Sequence, residues 1–106
     1  MKYCVISTLT FNTPAQNSGF FNSITAKLKG KQTWGELVNS SGQDMEGFPS
    51  HNLMIRFDNE VDADEVYAYI KDRMEKIPVL KGSVSKHYCY HDEGGLPCVI
   101  EEEYEK

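Results

Sequence analysis

Apolar and polar residues alternate with a period of two in several segments of the chain, a pattern that predicts β-strands. We predict four strands, at residues 3–11, 32–39, 52–57 and 82–90. The first is rich in β-branched and aromatic residues, which favour strands. In the third, Leu53, Ile55 and Phe57 occupy one face, whereas Met54 and Arg56 occupy the other.

Two further segments repeat their apolar residues at helical spacing and predict one helix each. The first helix begins at an N-cap, Asn17 or Ser18, and ends at Gly30. The second is capped by Asp62 or Asp64. The apolar positions are Phe21, Ile24 and Leu28 in the first helix, and Val66, Ile70, Met74 and Ile77 in the second.

The remaining segments are polar and predict connections. Residues 40–49 are rich in glycine and serine, which is typical of a long loop between two strands. Residues 94–106 form an acidic C-terminal extension, with an edge strand as an alternative interpretation. A chain of 106 residues has room for one core, so we predict a single domain, 1–106.

The β-α-β-β-α-β order predicts an α+β fold of the ferredoxin-like type, a two-layer sandwich. Its antiparallel sheet carries two helices on one face and leaves the other face bare. The first and last strands of this topology are antiparallel neighbours. We therefore expect Cys4 to lie near Cys89 across the ladder.

Composition and charge narrow the class of protein. With 40% apolar and 25% charged residues the chain is typical of globular proteins, and no run approaches the ~18 apolar residues of a membrane helix. Three cysteines, an odd number, favour a reducing compartment, and we expect a cytoplasmic protein. The net charge is −5. Residues 44–106 contribute −8, from fifteen acidic and seven basic residues, whereas residues 1–43 contribute +3. This negative field disfavours nucleic acid as a partner.

The densest group of reactive side chains lies on the last predicted strand, where His87, Cys89 and His91 share a face. These three are the candidate catalytic residues, and Cys4, His87 and Cys89 are the candidate metal ligands. Because same-face strand residues lie about 6.6 Å apart and no turn converges them, buried cysteines are favoured over a metal site. His51 is expected to be a solvated loop residue. Without a glycine-rich phosphate loop, we expect no cofactor.

Two interaction surfaces are predicted. Aromatic residues on or near the bare sheet face, Tyr3, Trp34, Tyr88 and Tyr90, predict burial against a second copy and hence a homodimer. The acidic tail, with Glu101, Glu102 and Glu103, predicts a contact with another protein.

In the order of its elements, residues 3–91 resemble the antitoxin ribonucleases of type V toxin–antitoxin systems and the small CRISPR adaptation nucleases. The resemblance implies nuclease activity, but it is one of architecture and includes no motif. The adaptation nucleases carry an Asp at the end of the first strand, where this chain has Phe11 and Asn12. Many unrelated proteins share this fold, so no family is assigned.

The sequence thus favours a small acidic binding or regulatory module that acts through an unidentified protein partner. A more specific form of this hypothesis is an inhibitor whose acidic residues mimic the phosphate charges of nucleic acid. The alternative is an enzyme, either a ferredoxin-like nuclease of the antitoxin-ribonuclease type or a small dimeric metal-dependent enzyme.

Overall fold

The computed structural model describes residues 3–31, 38–43, 47–88 and 99–106, with the backbone alone for 38–43. Its elements are β1 (Tyr3–Thr10), α1 (Pro14–Lys27), β2 (Val38–Gln43), β3 (Pro49–Phe57), α2 (Glu60–Lys76), β4 (Lys81–Tyr88) and β5 (Val99–Glu105). Neither helix of this described part has the length and apolar character needed to cross a membrane.

The strands form one sheet in the order β2-β3-β1-β4-β5, with every neighbouring pair antiparallel. The predicted α+β class, with an antiparallel sheet and two helices, is confirmed. The sheet has five strands where four were predicted, because β5 pairs with the outer side of β4. Residues 99–105 of the acidic C-terminal extension are thereby paired with the sheet.

One core fills the space between the sheet and both helices. The buried apolar residues of β1, β3 and β4 pack there with those of α1 and α2, so both helices cover the same face. Leu53, Ile55 and Phe57 lie in this core, as their alternation predicts. Each fully buried side chain of this size contributes about 1.5–3 kcal/mol relative to an exposed one, so this core is the main source of stability.

Helix α1 begins earlier than the sequence analysis predicts. Thr13 is the N-cap: its Oγ1 accepts from the Gln16 amide at 3.2 Å, and Gln16 Oε1 accepts from the Thr13 amide at 3.1 Å. Pro14, taken as part of a turn, is instead the first helical residue, where its lack of an N–H costs nothing. Phe20, not Phe21, is the buried phenylalanine of this helix. Just past the helix, Gly30 has φ 79°, a conformation that favours glycine.

Helix α2 also begins before its predicted caps, Asp62 and Asp64. Asn59 is the N-cap, and its Oδ1 accepts from the amide of Asp62 at 2.9 Å. Glu60 and Asp62 therefore lie in the first turn, where negative charge complements the helix dipole. The predicted apolar positions Val66, Ile70 and Met74 are fully buried.

The loop predicted for residues 40–49 is partly wrong. Ser40 to Gln43 belong to β2, which pairs with β3 in a register from Val38↔Met54 to Gln43↔Pro49. Polar residues can form this edge strand because the ladder bonds come from the backbone, whereas the sequence pattern reports only side chains. Residues 32–37, most of the predicted second strand, lie outside the described residues.

Gly82 faces Leu9 across the β1–β4 ladder, at a point where a methyl group has no room. A Cβ atom there would overlap Leu9 Cδ2 and lie 3.3 Å from both Met74 Cε and the Thr8 carbonyl oxygen. Leu9 is fully buried, so we expect Gly82→Ala to lower the free energy of unfolding by about 1–2 kcal/mol. In a Leu9→Ala background, which removes the overlapping methyl group, the same change should cost less, since only the two 3.3 Å contacts remain. Urea denaturation of the four proteins in this cycle measures both values, and equal costs in the two backgrounds would contradict the close contact.

Candidate functional site

Most of the predicted site residues that the structure describes lie at one end of the sheet. There β1 begins, β4 ends, and β5 and α2 begin. Cys4 directly opposes His87 in the β1–β4 ladder, so these two predicted candidates are cross-strand neighbours. Single-strand periodicity assigns residues to faces but leaves open how far two strands slide along each other. Cys89 itself lies outside the described residues.

Cys4 and His87 lie on the sheet face away from the helices, yet both are buried, with 6% and 5% exposed. Half-buried Ile6 and Met54 pack against Cys4. His87 Nε2 lies 2.8 Å from the hydroxyl oxygen of Ser85. Burial lowers the pKa of His87, and the negative charge of Glu103 opposes this only in part. The imidazole is therefore neutral at neutral pH.

A neutral imidazole hydrogen-bonded to a hydroxyl is the arrangement of a general base and its nucleophile. Catalysis of this kind also needs an acceptor that orients the ring, and Nδ1 of His87 has no partner among the described residues. The Ser85–His87 pair thus lacks one part of a triad within the part of the chain that is placed.

Several candidates cannot be located. His91, Cys89, Tyr90 and Trp34 all lie outside the described residues. Among the residues that are described, no group of three or more His, Cys, Asp and Glu side chains is placed to hold a metal ion. The metal and catalytic hypotheses for these residues stay predictions.

Tyr3 and Tyr88 were predicted on the bare face, and the structure corrects this. They are cross-strand partners with ring centroids 5.3 Å apart in an edge-on contact. Tyr3 packs against the main core, because it shares the helix-covered face with Val5 two residues on. Burial, followed by the charges of Glu60 and Glu101, raises the pKa of Tyr3.

The bare face of the sheet is mostly polar at the positions that the structure describes. Its apolar part there is a small patch of Cys4, Ile6 and Met54, together with Ile100, which is exposed and opposes His87. Around it lie polar side chains, two of which, Thr8 and Asn52, are joined by a 2.9 Å hydrogen bond. Dimerisation through this face therefore stays a prediction, without the two tyrosines that were expected to drive it.

The most strongly charged arrangement surrounds Lys86, a residue that the sequence analysis did not identify. Lys86 lies on the helix-covered face of β4 and is only 5% exposed. Its ammonium group donates to Asp64 and lies 3.7 Å from Glu60 Oε2 and 3.8 Å from Glu101 Oε1. A buried lysine requires such partners, because an unpaired buried charge is very costly.

Two opposing effects act on the Lys86 ammonium. Burial tends to lower its pKa, but the hydrogen bond to Asp64 and the charges of Asp64, Glu101 and Glu102 outweigh burial. The pKa of Lys86 is consequently raised, and the group stays charged throughout the physiological range. Nearby, burial and the charges of Glu102 and Glu103 raise the pKa of Tyr67.

Strand β5 brings its glutamates to this cluster through an irregularity in the ladder. The register with β4 shifts between Lys86 and His87, so that Glu102 opposes Lys86 and Glu103 opposes Ser85. We call the acidic side chains around Lys86 the acidic surface. It consists of Glu60, Asp64, Glu101 and Glu102. The side chains of Glu60 and Asp64 are each 50% exposed, so they remain open to contact.

His51 forms a second buried polar cluster, at the start of β3. The predicted solvated loop residue is instead 2% exposed, and its ring centroid lies 6.0 Å from those of both Phe11 and Phe20. Its Nδ1 lies 2.6 Å from Oδ1 of Asn17 and must carry the proton, since an amide oxygen only accepts. Its Nε2 has no partner among the described residues, and burial lowers the pKa of the ring. The alternation of β3 extends back to this position and would have identified it as buried.

No model of a known protein family matches the chain, and none of the curated proteins matches its sequence.

Proposed function

We propose that the protein is a small cytoplasmic binding module of ferredoxin-like architecture whose acidic surface docks on a basic surface of a protein partner. One observation carries the proposal: Lys86 holds carboxylates from α2 and from β5, two segments far apart in the sequence, side by side. Carboxylates from two distant segments are thus gathered around one buried ammonium group.

The charge balance of this surface suits a cationic partner. Four carboxylates surround a single ammonium group that is itself buried, so a partner meets a negative field. The carboxylates stand on a helix and on a paired strand, and therefore little conformational entropy is lost on binding. Such a surface speeds association with a basic partner and becomes weaker as salt is added.

A nucleic-acid-binding protein is the partner that this geometry favours. Three successive glutamates, Glu101 to Glu103, lie on a strand, where residues advance about 3.3 Å each. Successive side chains of a strand point to opposite faces, so carboxylates on one face of β5 are about 6.6 Å apart, which is about half the charge density of one DNA strand with its phosphate per ~3.4 Å of helix axis. Carboxylates of α2 add to this negative charge, and the acidic surface would occupy part of a basic groove that binds nucleic acid.

Affinity capture with matched charge variants tests the proposal. Wild-type protein is compared with a Glu101→Gln/Glu102→Gln/Glu103→Gln variant and with an Asp72→Asn/Glu75→Gln control, which alters acidic residues near the other end of α2. We expect wild type and control to retain the same basic protein from cell extract at low salt. The triple variant should bind that protein, once purified, about tenfold more weakly.

Two outcomes would contradict the proposal. If the triple variant and wild type bound the captured protein with equal affinity, the glutamates of the acidic surface would have no part in binding. A captured protein whose binding does not weaken between low and high salt would show that charge does not drive the contact.

A further inference from the structure

A groove of about 220 Å³ lies between α1 and the last turn of α2, at the end of α2 that is remote from the acidic surface. Its lining residues come from one face of α1, from the end of α2 and from the chain that follows β1: Gln16, Gly19, Phe20, Ser23, Arg73, Ile77, Pro78 and Phe11. The four from α1 recur at i, i+3, i+4 and i+7, so they form one continuous helical wall. The groove is therefore formed where α1 packs beside the end of α2.

Arg73 supplies the only charged side chain among these lining residues. It is half-buried, and its guanidinium takes part in none of the ion pairs or hydrogen bonds formed within the described part of the chain. Its backbone oxygen alone is engaged, accepting from the Ile77 amide at 2.9 Å. A guanidinium presents five N–H donors in a planar fork that matches a carboxylate. The groove therefore offers an anion site that the described residues do not fill.

Gly19 is the second unusual residue of the groove. It lies in the interior of α1, where glycine is among the least favourable residues. A Cβ atom at this position would meet no atom within 4 Å, so packing inside the protein does not require glycine. Its absent side chain leaves the wall of the groove open opposite the end of α2.

Apart from the polar side chains of Gln16 and Ser23, the remaining lining of the groove is apolar. Phe11 and Phe20 are almost fully buried and form its base, and Ile77 and Pro78 border it near Arg73. A ligand that matches these features has one anionic group and a compact apolar body. The volume lies below the ~300–1,000 Å³ of pockets for drug-sized molecules, so the ligand is small.

We propose that this groove binds a small organic carboxylate, whose ring or branched chain packs on Phe20 and Ile77 while its carboxylate pairs with Arg73. This site is separate from the acidic surface and does not depend on the function proposed for that surface. Phenylacetate has the required chemistry and serves as the probe. For a ligand of its size in a partly open groove, we expect a dissociation constant on the order of 1 mM.

Titration of ¹⁵N-labelled protein with phenylacetate, followed by amide chemical shifts, tests the proposal. We expect saturable shifts at Gly19, Ser23 and Ile77. Phenylacetamide, which keeps the ring and lacks the charge, should bind at least about fivefold more weakly, because it forms no charge-assisted pair. The Arg73→Gln variant should lose the preference for phenylacetate over phenylacetamide.

The Gly19→Ala variant distinguishes a loss of ligand binding from a loss of stability. The added methyl group should raise the melting temperature by about 3 °C, because alanine favours the helix, and yet weaken phenylacetate binding severalfold. The control is Lys76→Gln, on the same turn of α2 and outside the lining, which should bind as wild type does. Shifts that do not saturate, or that centre on other residues, would overturn the proposal, as would equal binding by wild type and Arg73→Gln.

Discussion

Acidification from pH 7 to pH 5 is expected to lower the free energy of unfolding, because burial favours the neutral form of two histidines in the folded protein. His51 and His87 are 2% and 5% exposed, and burial lowers the pKa of each. In the unfolded chain both take up a proton near pH 6.5. The penalty is therefore absent well above pH 6.5. As the pH falls below that value, it grows by up to ~1.4 kcal/mol per pH unit for each histidine, until the folded-state pKa is reached.

Urea denaturation at pH 5, 6, 7 and 8 measures this dependence. The His51→Asn variant keeps an amide nitrogen that can donate to Asn17 and does not titrate, so it should remove a large share of the slope. Its stability at pH 8 is expected to be lower because of the smaller side chain, but the slope is the informative quantity. An unchanged slope in this variant would show that His51 is not held neutral in the folded state.

Replacement of Lys86 by methionine is expected to lower the free energy of unfolding by about 2–3 kcal/mol at pH 7, since the acidic surface then loses its one buried cation. Methionine keeps the apolar length of the side chain, so the change isolates the charge. Glu60, Asp64 and Glu101 would then repel one another across the junction of α2 and β5. Amide hydrogen exchange in β5 should consequently become faster.

The matched control for this change is Lys76→Met. Lys76 forms an exposed pair with Asp72 at 3.0 Å, and such surface pairs contribute about 0.5 kcal/mol or less. The cost of Lys86→Met should also shrink below about pH 4, where the carboxylates take up protons and the repulsion disappears. If Lys86→Met and Lys76→Met lowered the free energy of unfolding by the same amount at pH 7, this would contradict a stabilising role for the buried ammonium group.

Residues whose burial follows from periodicity could be predicted from the sequence. Leu53, Ile55 and Phe57, together with the α2 positions Val66, Ile70 and Met74, all lie in the core where their spacing places them. Boundaries were predicted less well. The capping box of Thr13 and Gln16 is readable in the sequence, but Pro14 was interpreted as a turn signal when it is the first residue of a helix.

The candidate site was predicted only as a set of residue types. His87 and the C-terminal glutamates lie where the charged and polar sites form, but the partner of Cys4 and the face that carries Tyr3 depend on register. No local sequence pattern identified Lys86 as a site residue, because its neighbours Glu60, Asp64 and Glu101 come from distant segments of the chain. The same holds for the groove of Arg73, whose walls belong to two helices.

The amino-acid sequence by itself determined the fold class, the core-facing positions of the most regular elements and the surplus of negative charge near the C-terminus. These properties follow from local spacing and composition, which act through residues close together in the chain. Only the tertiary structure decided the strand register, the burial of Lys86 among carboxylates, and the convergence of α2 with β5. Such features depend on contacts between segments many residues apart, for which no single segment carries the information.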